Sequence, residues 1–375
     1  MPEGQELLRT PLHALHRKAG ATMCNQAGWD MPHSYGDVQA ECHRVRARAG
    51  VFDLSHLARI RVRGDGAVDL LERLCTADVA RQEDNTARYS LVLDEGGGIA
   101  ADAVVVRLED FWVLTASPPC RQTVLARAGA LAAELGAKVD DQTAKTAMIA
   151  AAGPKAAEIL DTLLPEKPSL LSAGGARLGS VVIAKYIAVR TAYTGLWSIE
   201  VMLPKMLASQ AWRFITERAG ENCIRPVGLA AREVLRIEAG VPRFGQELGP
   251  QANPISAGLM GAVDLEHDFV GRDALRRLLQ SPPARRRVGL EAEGQAGAVP
   301  QPGSAVLGQD GDEIGTVTSA AYSSALGRII AMAYVHRDAA AIGTELVLAC
   351  GATRLPVRLV RMPFLEPTGS SPKTE

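Results

Sequence analysis

Six cysteines, at positions 24, 42, 75, 120, 223 and 350 of 375 residues, never form a CxxC pair, which removes zinc ribbons, iron-sulfur ligand sets and disulfide scaffolds together. Cysteines so scattered serve as small buried apolar residues. Neither sign of charge is in excess: 41 Lys and Arg stand against 42 Asp and Glu, a formal net charge of -1. Beyond Arg285, Arg286 and Arg287 there is no basic run, so the electrostatic footprint of a nucleic-acid binder is missing, and that short cluster reads as a solvated linker. Long hydrophobic runs are also lacking. The opening stretch MPEGQELLRTPLHALHRKAG carries charges throughout and no apolar core, which excludes a signal peptide or membrane span and points to a cytoplasmic protein. Of seven histidines, only His13 and His16 lie close together. With no third ligand nearby they read as polar positions on an amphipathic helix, and no metal is expected. No internal repeat is visible, so a solenoid is excluded.

What is present is an ordinary globular composition, 47% hydrophobic and 22% charged, in a chain too long for one core, so two or three lobes are expected. Helical and strand signals alternate irregularly, as in a mixed α+β chain. GAVDLLERLCTADV, from Gly66, spaces Val68, Leu71, Leu74 and Cys75 as a helix does, and PPCRQTVLARAGALAAELG is a second helix ending at Gly136. Between them YSLVLDEGGGIAADAVVVRL predicts a hairpin, with Ala101, Ala103 and Val105 on one face and Asp102, Val104 and Val106 on the other. VVIAKYIAVRTAYTGLWSIEVML reads as another hairpin around a turn of Tyr193, Thr194, Gly195, Leu196 and Trp197. VGLAAREVLRIEAG is a helix carrying Arg232 and Arg236 one turn apart. The segment 281–287 breaks with paired prolines and reads as a linker. The signals then divide the chain into a first part over 1–280, a small β-barrel over 288–366 and a disordered tail over 367–375.

In order and approximate spacing, TPLHALHRKAGATM, GWDMPHSYGDVQAECHRVRARAGVFDLSH, YSLVLDEGGGI, IAAAGPKAA, RTAYTG, VGLAAREVLRIEAG, FGQEL, FVGRDAL and VTSAAYSSALG resemble the glycine-cleavage T-protein (aminomethyltransferase) superfamily over nearly the whole chain. The resemblance implies a three-lobed cloverleaf around a central channel that holds tetrahydrofolate, with two interleaved lobes over 1–280 and the C-terminal barrel as the third lobe. It makes Asp102, inside an apolar strand, the catalytic acid that stabilises charge on a folate nitrogen. It assigns Tyr89, Tyr193, Leu196 and Arg232 to the cofactor site and Tyr35 and His56 to the substrate, with Tyr322 a further candidate. Three positions depart from the family pattern. The first acid of the expected pair is Ala101, the acid expected after YTG is Leu196, and a pterin-contacting amide is Ala116. Those departures predict a more apolar pocket and, with it, a tetrahydrofolate-dependent methyltransferase or demethylase acting on a free small-molecule donor. The alternatives are an aminomethyltransferase served by H-protein and a non-catalytic folate-binding protein. The latter branch carries a cysteine motif where this chain has VPRFGQEL.

Overall fold

The computed structural model describes residues 6–164, 166–181, 184–218, 224–292, 298–351 and 353–368. Four sheets organise them. A small sheet of Leu8–Arg9, Trp29–Ser34 and Thr22–Gln26 stands at one edge. A five-stranded antiparallel sheet runs in the order Thr86–Leu93, Ile99–Arg107, Trp112–Ala116, Ala58–Arg63, Lys138–Asp141. Its hairpin turns at Gly97, whose φ of +83° suits a residue without Cβ. Asp94 closes that turn by accepting from the Gly96 and Gly98 amides at 2.9 and 2.8 Å.

One face of this sheet is covered by the helices Ala67–Leu74 and Arg121–Leu135, which pack Leu70, Leu71 and Val124 against Ile60, Ala101 and Val105. Alternation therefore leaves Asp102 and Val104 on the uncovered face. The chain then returns to a six-stranded sheet ordered Ala176–Val181, Ala184–Thr191, Ser198–Pro204, Thr146–Ala152, Gly50–Asp53, Arg225–Pro226. Its outer face packs Ile149, Ile199 and Leu203 under Ile159 and Trp212. Its inner face joins Met148, Val189 and Met202 to the helix Leu229–Glu238 through Val234 and Leu235. The two sheets are thus interleaved in sequence and present their free faces to a common centre.

The third lobe is a closed barrel of Arg285–Ala292, Arg328–His336, Glu313–Ser323, Ala305–Leu307, Glu345–Cys350 and Thr353–Val360. Arg285, Arg286 and Arg287, expected in a linker, instead open its first strand and pair with His336, Val335 and Tyr334. Arg287 donates to the Ala257 and Gly240 carbonyls, both at 2.8 Å, so it clamps the barrel to the preceding lobe. A buried ion network does the same for the central helix. Arg236 pairs with Glu247 at 2.7 Å and also with Glu233. Glu247 in turn accepts from Thr318 and Ser319 of the barrel at 2.7 and 2.6 Å. The tail beyond residue 368 lies outside the described residues, but Thr368 itself donates to the Gly195 carbonyl at 3.1 Å.

Cys42, Cys75 and Cys120 are buried, and burial pushes each thiol up to about 12, so they are unreactive packing residues. Cys24 and Cys350 are half-buried, and Cys223 lies outside the described residues. No helix among the described residues is long and apolar enough to cross a membrane.

Candidate active site

The free faces of the two sheets, the helix Leu229–Glu238 and the barrel strand Glu313–Ser323 enclose a cavity of about 1000 Å³. That is enough for a cofactor-sized ligand. Asp102, Tyr89, His56, Tyr193 and Arg232 all line it, and Tyr322 adds a wall from the barrel.

Asp102 stands on the cavity side of its strand, with Tyr89 and Thr115 on the same face because both are cross-strand partners of Val104. Its carboxylate accepts from the Ser117 hydroxyl at 3.5 Å. Burial raises it to about 6, against the lowering effect of its hydrogen bonds. The Tyr89 hydroxyl lies close by but outside hydrogen-bond geometry, with no protein partner among the described residues. Burial first, then the Asp102 charge, holds its pKa well above the usual phenol range.

On the opposite wall Arg232 lies over Tyr193, and between the two sheets stands Glu200, which sequence reasoning left without a role. Glu200 shares the inner face of Ser198–Pro204 with Ser198 and Met202, lines the cavity and is 8% exposed. Burial raises its pKa, opposed by the charge of Arg232 and a hydrogen bond from Thr191. The signal that could have found it is the one that found Asp102, an acid inside a buried strand. His56 also lines the cavity. It is kept neutral, with a pKa lowered to about 3, by burial and by Arg232, Arg59 and Arg243, against the pull of Asp53.

Two expected site residues are elsewhere. Leu196 is 8% exposed and packs in the central hydrophobic core, not against the cavity. A leucine in a turn is drawn under the helix, and the acid of this wall comes from position 200. Tyr35 also points away. Its hydroxyl donates to His16 Nδ1 at 2.6 Å, and His16 Nε2 in turn reaches Asp53 at 3.0 Å, with Thr10 donating to the same carboxylate oxygen at 2.6 Å. This buried chain ties the N-terminal helix to the six-stranded sheet, so Tyr35 is a structural residue. His13 is bound to Asp30 at 2.7 Å. Of the other departures, Ala101 faces the helix-covered side with Ala103 and Val105. Ala116 pairs with Ala103 and packs in the same core, although it reaches the cavity rim. The polar position on the cavity face of that strand is Thr115. Of the three departures, only Ala116 therefore reaches the cavity.

Known proteins carry the same architecture. The GCVT N-terminal domain matches residues 12–267, and the glycine cleavage T-protein C-terminal barrel domain matches residues 285–366. An aminomethyltransferase of Streptomyces coelicolor is 39% identical over 366 residues, covering 96% of this chain and 98% of its own. One of Saccharopolyspora erythraea is 36% identical over 359 residues, covering 95% and 97%. The crystal structure of glycine cleavage system aminomethyltransferase T from Bartonella henselae aligns with a TM-score of 0.90 at 31% identity, over 97% of this chain and 100% of that chain.

Fold, cavity and likenesses together define a three-lobed enzyme that transfers a one-carbon group, with tetrahydrofolate as the acceptor. Within that class, the chain belongs to the glycine-cleavage T-protein family. The wall fits the folate. It offers a buried carboxylate at Glu200, a cation at Arg232 and a buried nitrogen at His56 with no partner among the described residues.

Proposed function

We propose that this chain is an aminomethyltransferase, passing an aminomethyl group delivered by H-protein to tetrahydrofolate in the central cavity, with Asp102 as the catalytic carboxylate and Tyr89, Tyr193, Glu200 and Arg232 as folate contacts. The observation that carries this reading is the pair of buried carboxylates, Asp102 and Glu200, on the walls of one cavity. A cationic aminomethyl group entering an apolar pocket would lose hydration with nothing to replace it, whereas fixed carboxylates supply that compensation. Tetrahydrofolate supplies the nucleophilic nitrogen. Asp102, held by Ser117, meets the positive charge that develops there as the carbon arrives, and its environment is set before the reaction begins. Arg232 and Tyr193, stacked at the cavity wall, would hold and orient the folate for the transfer.

The demethylase reading drew on Ala101, Ala116 and Leu196, and the first and last of these face packed cores. The deciding assay supplies aminomethylated H-protein and tetrahydrofolate and measures ammonia with 5,10-methylene-tetrahydrofolate. Stoichiometric formation of both is expected. Silence with H-protein, together with 5-methyl-tetrahydrofolate formed from a free methyl donor, would overturn the proposal in favour of a small-molecule demethylase.

A further inference from the structure

Arg59 is 1% exposed, yet it forms no ion pair among the described residues. The two acids whose charge reaches it, Asp53 and Asp141, are paired with His16 and Arg121. Arg236, buried as deeply, keeps Glu247 and Glu233. Arg59 instead aims its donors at two short turns. Its Nε donates to Thr146 Oγ1 at 2.8 Å, and Nη1 to the Leu57 and Ser55 carbonyls at 2.6 and 3.1 Å. Nη2 donates to the Thr143 and Thr146 carbonyls at 2.6 and 3.1 Å. Burying a charge without a counter-ion is costly, and here hydrogen bonds alone compensate it.

Those turns are the crossings between the two sheets. Residues 54–57 carry the chain from Gly50–Asp53 of the six-stranded sheet to Ala58–Arg63 of the five-stranded one. Residues 142–145 carry it back, from Lys138–Asp141 to Thr146–Ala152. One planar guanidinium therefore ties both crossings together, and the Arg59 amide adds a bond to Thr143 Oγ1 at 3.1 Å. The first crossing is also cavity wall, through His56 and Leu57. Within its sheet Arg59 stands opposite Thr115, and Thr115 opposite Val104, so Arg59 lies in the row beside Asp102. Asp102 belongs to one sheet and Glu200 to the other, so the span between the two walls depends on how the sheets are joined.

We propose that Arg59 is a positioning residue for the transfer: by fixing both crossings it holds Asp102 at its working distance from a folate bound against the opposite wall. This role rests on the aminomethyl-transfer reading, with Asp102 as the catalytic carboxylate. A lysine carries three donors on a point charge and cannot span both crossings, so Arg59→Lys keeps the charge and releases the joint. It should lower kcat with aminomethylated H-protein by roughly ten- to a hundredfold, the loss that a displacement of about 1 Å produces. Tetrahydrofolate affinity, read by calorimetric titration of the full chain and set chiefly by Glu200, Tyr193 and Arg232, should stay within about threefold of the parent. The deciding measurement is a double-mutant cycle with Asp102→Asn. On that background Arg59→Lys should lower kcat by less than about threefold, because no carboxylate is left to misplace. Equal losses on the two backgrounds would overturn the role, since a residue that only supports the fold lowers both alike. An unchanged kcat in Arg59→Lys would overturn it as well. Thr146→Val removes one acceptor and leaves the arginine in place. It should show the same pattern at smaller size, and it carries the test if Arg59→Lys fails to fold. A parent that binds tetrahydrofolate and transfers nothing from H-protein would overturn the transfer reading, and this role with it.

Discussion

The guanidinium carbon of Arg232 lies 3.7 Å from the centroid of the Tyr193 ring. One comes from the central helix and the other from the turn after Ala184–Thr191, so the stack joins two elements at the cavity wall. A planar guanidinium can lie flat on a ring, which an ammonium cannot. Arg232→Lys keeps the charge and loses the stack, and should weaken tetrahydrofolate binding by roughly tenfold in a calorimetric titration. Tyr193→Phe, which keeps the ring face, should bind within about threefold of the parent.

Asp102 sets the expected pH dependence. It acts as a carboxylate, and its pKa of about 6 means that turnover should rise through pH 6 and level off above it. Asp102→Asn should abolish that limb and lower kcat by at least about a hundredfold, with a much smaller change in folate affinity. Stability moves the other way. The folded state holds this proton more tightly than the unfolded chain does, so ionisation costs stability as pH rises from about 4 to 6. The asparagine variant should therefore be more stable than the parent above pH 6, by on the order of 2–3 kcal/mol in urea denaturation. An equally stable variant with an unshifted pH–rate profile would remove both claims.

Positions 196 and 200 give a matched pair of tests. Glu200→Gln should weaken tetrahydrofolate binding by about tenfold or more, because a ring N–H loses a charged acceptor. Leu196→Glu places a carboxylate in the central core with no partner. It should cost about 3 kcal/mol or more of stability and restore no affinity. Tighter binding by Leu196→Glu would put the turn back in the folate site.

The Arg236–Glu247 pair, both side chains with 0% exposure, should be among the costliest to break. Glu247→Gln leaves the buried arginine with Glu233 as its remaining partner in this network and should cost about 3 kcal/mol. The pKa of Glu247 is lowered, since Arg236 and the Ser319 and Thr318 hydroxyls outweigh burial. Its contribution is therefore full above the unfolded glutamate pKa and lost as pH falls through the folded one. Melting temperature against pH should show a steeper acid limb for the parent than for Glu247→Gln.

How far the sequence led depended on whether a residue obeys a period. The Thr86–Arg107 hairpin has strict two-residue alternation, so Asp102 could be placed on the face opposite Ala101 from sequence, and the cavity lies on that face. Glu200 obeys the same alternation, but its orientation depends on which face of Ser198–Pro204 the helix Leu229–Glu238 covers, a long-range contact. Turn residues have no period, and Leu196 was misplaced for that reason. Tyr35 was misread because its partner, His16, lies on a separate element. The arginines 285–287 looked like a linker because half their strand faces water, and only pairing with Arg328–His336 shows it to be a barrel strand.

The order in which the chain visits its two sheets constrains how it can be made. Gly50–Asp53 is laid down before the whole five-stranded sheet, yet its partners, Thr146–Ala152 and Arg225–Pro226, come after it. An emerging chain must therefore hold this strand unpaired until the five-stranded sheet and then Thr146–Ala152 have left the ribosome. Such distant pairing slows folding and leaves an apolar strand open to association in the meantime. Cutting the chain between Asp53 and Thr146 would separate Gly50–Asp53 from its sheet, whereas the barrel is built from one continuous stretch of chain and its sheet closes on itself.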